Sequence, residues 1–152
     1  MSVHEPSFWI GLGISILCGA FIGFERQFRS KPAGMRTSIL ICMGTQTFVR
    51  LGTLMAGDQS DPTRVLGQII TGIGFLGAGV ILTREGTVTG LTSASVVWMT
   101  ASIGAVVGLN LYAEAIALTS VTVILLISVQ RLERYFGFRE EPHADHTSKS
   151  GG

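Results

Sequence analysis

Long apolar runs separated by short charged stretches dominate this sequence. A helix that crosses the hydrocarbon core of a bilayer, about 30 Å thick, needs about 20 mainly apolar residues. Four charge-free runs approach or exceed this length, and a fifth segment has the right length although it carries Gln46 and Arg50. The pattern predicts an all-α integral membrane protein, a bundle of five transmembrane helices over about residues 7–24, 37–56, 65–83, 91–109 and 112–130.

The basic residues lie mainly on one side of this predicted bundle. Nine of the 11 Lys and Arg residues fall in the loops after the first and third spans or in the C-terminal tail, whereas Arg50 lies within a span and Arg64 in an opposite loop. Because basic residues concentrate in cytoplasmic loops, the N-terminus is predicted to lie outside and the C-terminus in the cytoplasm. We expect residues 1–134 to form one membrane domain and the polar residues 135–152 a disordered cytoplasmic tail.

Composition excludes several classes of protein. Charged residues make up 14% of the chain, against about 25% in a typical soluble domain. The formal net charge of +1 provides no basic excess to bind nucleic acid. All three His residues lie near the termini, and no phosphate-binding loop is present, so we expect no enzymatic activity and no cofactor. Cys18 and Cys42 lie in apolar runs and support no metal site, which leaves the lipid bilayer as the first partner.

Glycine is concentrated in the third predicted span. Its G-x-G-x-x-G pattern is also found in dinucleotide-binding folds, but there it joins a strand to a helix. Small residues let helices approach closely in lipid, so we expect the third span to be central and to pack through Gly72, Gly74, Gly77 and Gly79. The pairs Gly19/Gly23 and Gly104/Gly108 offer matching surfaces, and together these surfaces predict a homodimer. The fifth span, which includes Leu126, is expected to face lipid.

The order of short motifs resembles the MgtC/SapB family of bacterial inner-membrane proteins, in a short form without the soluble C-terminal domain. The resemblance covers about residues 8–134 and is carried by the segments 23–27, 33–37, 61–64, 68–79 and 90–94 and by Trp98. It implies a multi-pass protein of the bacterial inner membrane, linked to growth at low magnesium and to survival in macrophages. Some members are implicated in restraining the F-type ATP synthase, which makes that enzyme a candidate partner.

Two pairs of polar residues are candidates for function within the spans. Gln46 and Arg50 share one helix face, and a charge in a span usually faces the bundle interior or water; they line a functional polar path or make structural bonds. Glu25 and Arg26 lie at the cytoplasmic end of the first span. They form an interfacial ion pair, or Glu25 turns inward to meet Arg36 or Arg84.

Further candidates flank the third and fourth spans. Asp61 suits a helix N-cap before Pro62, and we expect Arg64 to pair with Asp61 or Asp58. Gln68 opens the glycine-rich motif. Residues 83–95 form either a plain loop, in which Thr92 or Ser93 caps the fourth span, or a re-entrant turn shielded by protein. Some members of the resembling family have Asn where this chain has Thr92.

Two classes of function remain open. The first is a regulatory module that binds other membrane proteins through small-residue helices, and the second is an ion or small-solute carrier related to magnesium transport. One chain offers only Glu25 and Glu114 near the membrane, which is a poor set of ligands for Mg²⁺. A continuous polar path of water width past Gln46 and Arg50 would favour passage, whereas a closed bundle with an exposed groove of small residues would favour interaction.

Overall fold

The computed structural model describes residues 5–55, 63–84 and 87–136. These residues form five helices and one short β-hairpin: α1 (Pro6–Phe28), α2 (Met35–Met55), α3 (Thr63–Ala78), β1 (Leu82–Arg84), β2 (Thr87–Thr89), α4 (Leu91–Gly108) and α5 (Tyr112–Tyr135). Four of the helices, α1, α2, α4 and α5, are long and apolar enough to cross a membrane, and α3 is shorter. The sequence prediction of an all-α bundle with five helices is therefore confirmed. The predicted tail beyond Phe136 lies outside the described residues.

Contacts at the helix ends define the two ends of the bundle. At the end that we name the Arg50 end, Arg50 at the end of α2 binds Ser7 at the start of α1 and Asn110 between α4 and α5. At the opposite end, named the Arg26 end, Arg26 near the end of α1 binds Ser93 at the start of α4. Successive helices thus run in alternating directions, and α1 begins and α5 ends at opposite ends of the bundle.

The central helix is α2, which lies between the glycine faces of α1 and α4. A methyl group added at Gly19 of α1 would lie 2.7 Å from the Cα of Ile39. One added at Gly108 of α4 would lie 2.8 Å from the Cβ of Val49. These positions have no room for a side chain, so the two predicted glycine pairs bring backbones together as small residues do in lipid.

The prediction that α3 is central is wrong, because among the described residues only Gly77 of its four predicted packing glycines contacts a neighbouring helix. A methyl group added at Gly72 or Gly74 would meet no atom of the described residues within 4 Å. At Gly77 it would reach only Ala94, at 3.7–3.9 Å, and at Gly79 only the backbone of α3 itself, at 3.4–3.7 Å. The helix lies at the edge of the bundle against α4 and touches α2 mainly near its own first turn.

Two further sequence expectations require correction. The third span was predicted to continue to residue 83, but α3 ends at Ala78 and residues 82–84 pair antiparallel with residues 87–89. Glycine weakens the end of the helix, and the β-branched residues that follow favour strands. The expectation that Leu126 faces lipid is also wrong, since this side chain is only 5% exposed and belongs to the core.

The hairpin replaces both alternatives that the sequence left open for residues 83–95. The residue before α4 is Gly90, whose φ of +89° places it in the left-handed region, where glycine is favoured. No side chain caps the first turn of α4. Thr92 is exposed, and the hydroxyl of Ser93 instead accepts a hydrogen bond from Arg26.

Candidate functional site

A polar seam runs along the contact between α1 and α2. Small residues of α1, spaced four apart, face α2: Gly11 lies against Gln46, Ser15 lies beside the thiol of Cys42, and Gly19 lies against the backbone of α2. Residues four apart lie on one face of a helix, so Cys42, Gln46 and Arg50 continue the same line towards the Arg50 end. The predicted face of Gln46 and Arg50 is therefore an interior face of the bundle.

Side chains from two other segments of the chain hold Arg50. Its Nη2 donates to Ser7 Oγ at 2.8 Å and to Glu5 Oε2 at 3.1 Å. Its Nη1 donates to Asn110 Oδ1 at 3.4 Å, and the hydroxyl of Tyr112 lies 2.9 Å from the same oxygen. These bonds connect α1, α2 and the turn between α4 and α5, so Arg50 has structural partners near the end of the bundle.

The sequence did not reveal the partners of Arg50. Glu5 precedes α1 and Ser7 lies in its first turn, whereas Asn110 and Tyr112 lie where α4 is followed by α5. One signal was available: in the five-span topology Glu5 is a carboxylate at the same end of the bundle as Arg50. Side chains on different helices can pair only if the helices pack together in the right arrangement, and the sequence alone does not specify that arrangement.

Gln46 is fully buried one turn further into the bundle. Its amide nitrogen and oxygen have no hydrogen-bond partner among the described residues, and neither does the hydroxyl of Ser15, apart from the adjacent thiol of Cys42, a weak hydrogen-bonding group. A methyl group added at Gly11 would lie 3.1 Å from Nε2 of Gln46. The seam is therefore closely packed at this level.

The charged residues at the Arg26 end interact mainly within α1. Nε of Arg29 lies 2.6 Å from Oε1 of Glu25, and Nη1 of Arg26 lies 3.8 Å from Oε2 of Glu25. Arg26 is only 1% exposed and donates to Ser93 Oγ at 2.6 Å. A hydrogen bond from Arg29 to Gln130 connects this cluster to α5.

The expected pair of Glu25 with Arg36 is not formed. Glu25 is buried, as one alternative required, but Arg36 is exposed at the start of α2. Arg29 is closer because it lies one turn from Glu25 on the same helix. The side chain of Arg84 lies outside the described part of the chain.

The remaining candidates are not brought together with the seam. Arg64 and Gln68 are exposed on α3, and Asp61 and Asp58 lie outside the described residues. Within residues 5–55, 63–84 and 87–136, no group of three or more His, Cys, Asp or Glu side chains could hold a metal ion.

An open groove lies on the other side of α2. It has a volume of about 750 Å³ and is lined mainly by apolar and small residues of α2 and α3 with Val97 of α4 at its floor; these include Leu40, Gly44, Phe48, Ile69, Gly72 and Leu76. The groove forms because α3 leans on α4 and approaches α2 only where Val65 meets Gly52. A methyl group added at Gly44 or Gly72 would meet no described atom within 4 Å, so both glycines are open to the surrounding membrane.

Long apolar helices, glycine-mediated packing and an interior polar seam define an all-α membrane protein. A family model described as the MgtC family matches residues 12–135. The chain belongs to the MgtC family.

Several curated relatives share this region. The chain is 44% identical over 120 residues to Protein MgtC of Brucella abortus, covering 79% of this chain and 48% of that protein. It is 42% identical over 119 residues to the Putative magnesium transporter YhiD of Escherichia coli K12, covering 74% and 55%. Protein SrpB of Synechococcus elongatus is 37% identical over 149 residues, covering 87% and 82%. The chain thus spans about half the length of the Brucella and E. coli relatives. No solved structure matches it significantly.

Proposed function

We propose that this chain is a regulatory protein of the bacterial inner membrane that binds an apolar helix of another membrane protein in the groove between α2 and α3. The name of the E. coli relative, Putative magnesium transporter, supports a role related to magnesium. The proposal includes no catalytic step. The observation that supports the proposal is the groove itself. A volume of about 750 Å³ with open glycines on both walls suits the packing of a helix.

The contrast between the two sides of α2 favours binding over passage. On the α1 side, Gln46 is fully buried and Gly11 lies tightly against it. On the α3 side, Gly44 and Gly72 have open space in front of them. Helices in lipid associate through close packing of small residues rather than through a hydrophobic driving force, so an open, small-residue groove is the surface on which a helix gains most contact.

Membrane topology and partners belong to the same proposal. All five helices cross the inner membrane, with the Arg50 end outside and the Arg26 end in the cytoplasm, in accord with the distribution of basic residues. The F-type ATP synthase is a candidate partner for the groove. We assign homodimer formation to the side of α3 that carries Gly74, which is open and does not line the groove, since matching small-residue faces associate with two-fold symmetry.

Photo-crosslinking in the native membrane tests the groove. A photoreactive residue placed at Leu40 or Phe48 should crosslink to a defined membrane protein, whereas one at Ile124, which is 62% exposed on α5, should crosslink mainly to lipid. A product of twice the mass of the chain would place a second copy in the groove and contradict a heterologous partner. Equal crosslinking from Ile124 would contradict the groove as the binding surface.

Two glycine variants provide the matched control. Gly44→Leu projects a larger side chain into the groove from a position where an added methyl group meets no described atom within 4 Å. Gly13→Leu places the same side chain at an equally open position on α1, which does not line the groove. We expect Gly44→Leu to abolish the crosslink and Gly13→Leu to preserve it, with both proteins equally abundant in the membrane.

A second candidate function is the carriage of a divalent cation, which the name of the E. coli relative favours. The polar seam is the feature of the bundle that a carrier would use. Reconstitution of the purified chain into liposomes that contain a magnesium-sensitive dye separates the two candidates. Saturable entry well above that of empty liposomes, weakened by Gln46→Leu in the seam, would make the carrier the primary function.

A further inference from the structure

Two polar side chains line the groove between α2 and α3 without a partner. Gln68 of α3 is exposed, and Thr45 of α2 is 3% exposed. Neither side chain forms a hydrogen bond or an ion pair with any of the described residues. By contrast, Thr71 of α3, which does not line the groove, donates its hydroxyl to the backbone oxygen of Gly67. The polar groups that remain free on α3 and α2 are thus found in the groove.

Both side chains lie well inside the helices that carry them. Thr45 lies at the middle of α2, about 15 Å from each end at 1.5 Å per residue. Gln68 lies about 7.5 Å beyond the start of α3 at Thr63. In the proposed topology an amide at this depth faces hydrocarbon, where an unpaired polar group is costly. The position of Gln68 therefore calls for a hydrogen-bonding partner within the membrane.

The contact of Val65 with Gly52 sets the relative levels of the groups along the groove. Since α2 and α3 run in opposite directions, distances along both helices can be counted from that contact. Gln68 lies about 4.5 Å along α3, whereas Gly72 lies about 10.5 Å along α3 and Thr45 about 10.5 Å along α2. Gly72 and Thr45 thus share one level, and Gln68 lies about one helical turn nearer the Arg50 end.

We propose that the helix bound in the groove carries a small residue at the level of Gly72 and, one turn nearer the Arg50 end, an amide side chain that hydrogen-bonds to Gln68. Two amides can each donate and accept, and Thr45 offers a hydroxyl to the same helix. No charged residue of the described chain lines the groove, so a charged side chain of the bound helix would have no counter-ion there. This partner chemistry rests on the function proposed for the groove.

A designed transmembrane peptide provides the probe for this partner chemistry. The peptide consists of leucine with a central alanine and a single asparagine four residues away, and in the control peptide leucine replaces the asparagine. Association with the purified full chain in lipid vesicles is measured by fluorescence energy transfer. The asparagine peptide should associate about 3- to 20-fold more tightly than the control, as expected for one hydrogen bond between helices in lipid.

Variants of the chain identify the group that binds the amide. Gln68→Leu, at an exposed position, should make the two peptides bind equally, whereas Gln68→Asn, which keeps an amide, should retain part of the preference. Thr71→Val removes a polar group outside the groove and should leave the preference unchanged. A preference that persists in Gln68→Leu would overturn the proposal, because the asparagine would then bind elsewhere.

Gly44→Leu separates recognition of the amide from the function of the groove. If the wild-type chain binds both peptides equally and Gly44→Leu abolishes this binding, the amide partner is overturned and the groove remains the binding surface. If Gly44→Leu leaves the binding unchanged, or if neither peptide binds the wild-type chain, the groove itself is contradicted and the amide partner with it.

Discussion

Gly19 provides the sharpest test of α2 as the central helix. In Gly19→Ala, the added methyl group would lie 2.7 Å from the Cα of Ile39 and 2.8 Å from the carbonyl oxygen of Ser38. Contacts between carbon atoms are optimal at about 3.5–4.0 Å, so the two backbones must separate by about 1 Å. Backbone atoms cannot move aside as a flexible side chain can, and separation weakens packing along the whole α1–α2 contact.

The cost can be estimated against a matched variant on the same helix. Overpacking of a well-packed core costs about 1–3 kcal/mol. Replacement of glycine by alanine also improves helix propensity, by up to about 1 kcal/mol, but Gly13→Ala receives the same gain without any clash. The difference between the two variants should therefore be about 1–3 kcal/mol, with Gly19→Ala the less stable.

Reversible unfolding in mixed detergent micelles, followed by circular dichroism, measures this difference. Gly74→Ala on α3 serves as a second reference, since its methyl group would also meet no described atom within 4 Å. Equal stability of Gly19→Ala and Gly13→Ala would refute the close approach of α1 and α2. A loss of stability in Gly74→Ala comparable to that in Gly19→Ala would restore α3 as the central helix.

Four further predictions follow from the charged residues and the topology. Glu25→Gln leaves two arginines without their carboxylate and should lower the free energy of unfolding by about 3 kcal/mol. Arg36→Gln, at an exposed position, should change this free energy little. Equal effects of the two variants would contradict the buried cluster around Glu25. In the same unfolding assay, Arg50→Gln should lower the free energy of unfolding by about 2 kcal/mol, because charged hydrogen bonds are lost. Unchanged stability would contradict the hydrogen bonds of Arg50 to Glu5, Ser7 and Asn110. A reporter fused after Gln130 should be active in the cytoplasm, and periplasmic activity would contradict the five-span topology. The chain alone should carry no substantial magnesium flux into liposomes, because Gln46 is fully buried and the contact between α1 and α2 is closely packed beside it, and saturable entry would reverse that expectation.

The helices could be predicted from the sequence, because the length of an apolar run and its lack of charge are enough to identify a membrane-spanning helix. Which helices pack against each other could not be predicted in this way. Glycines that fit against a backbone, such as Gly19, and glycines that face open space, such as Gly72, produce the same sequence pattern. The pattern shows that a helix face lacks side chains and permits close approach, but it does not show whether another helix packs there. For this reason the glycine-rich α3 was wrongly predicted to be the central helix, a place that α2 occupies.

For individual side chains the sequence carried more information than the prediction used. Leu125 is 55% exposed and Leu126 is 5% exposed, because adjacent residues on a helix differ by about 100° in direction. The buried Thr119 and Thr122 lie seven and four residues before Leu126, on the same helix face, and could have identified that face as the one that packs on the bundle. The interior position of Gln46 and Arg50 was easier to predict, because polar residues one turn apart in an apolar run identify the helix face that points into the bundle.

The groove and the polar seam lie on opposite faces of α2, and this arrangement makes their effects separable. Gly44 of the groove and Gln46 of the seam are two residues apart, so their directions differ by about 200° around the axis of α2. Gly44→Leu should therefore abolish crosslinking in the groove and leave the packing of α1 on α2 unchanged, whereas Gly19→Ala should weaken that packing first. If Gly44→Leu also lowered the free energy of unfolding as much as Gly19→Ala does, the two faces of α2 would be coupled, and a helix bound in the groove would shift α2 against α1.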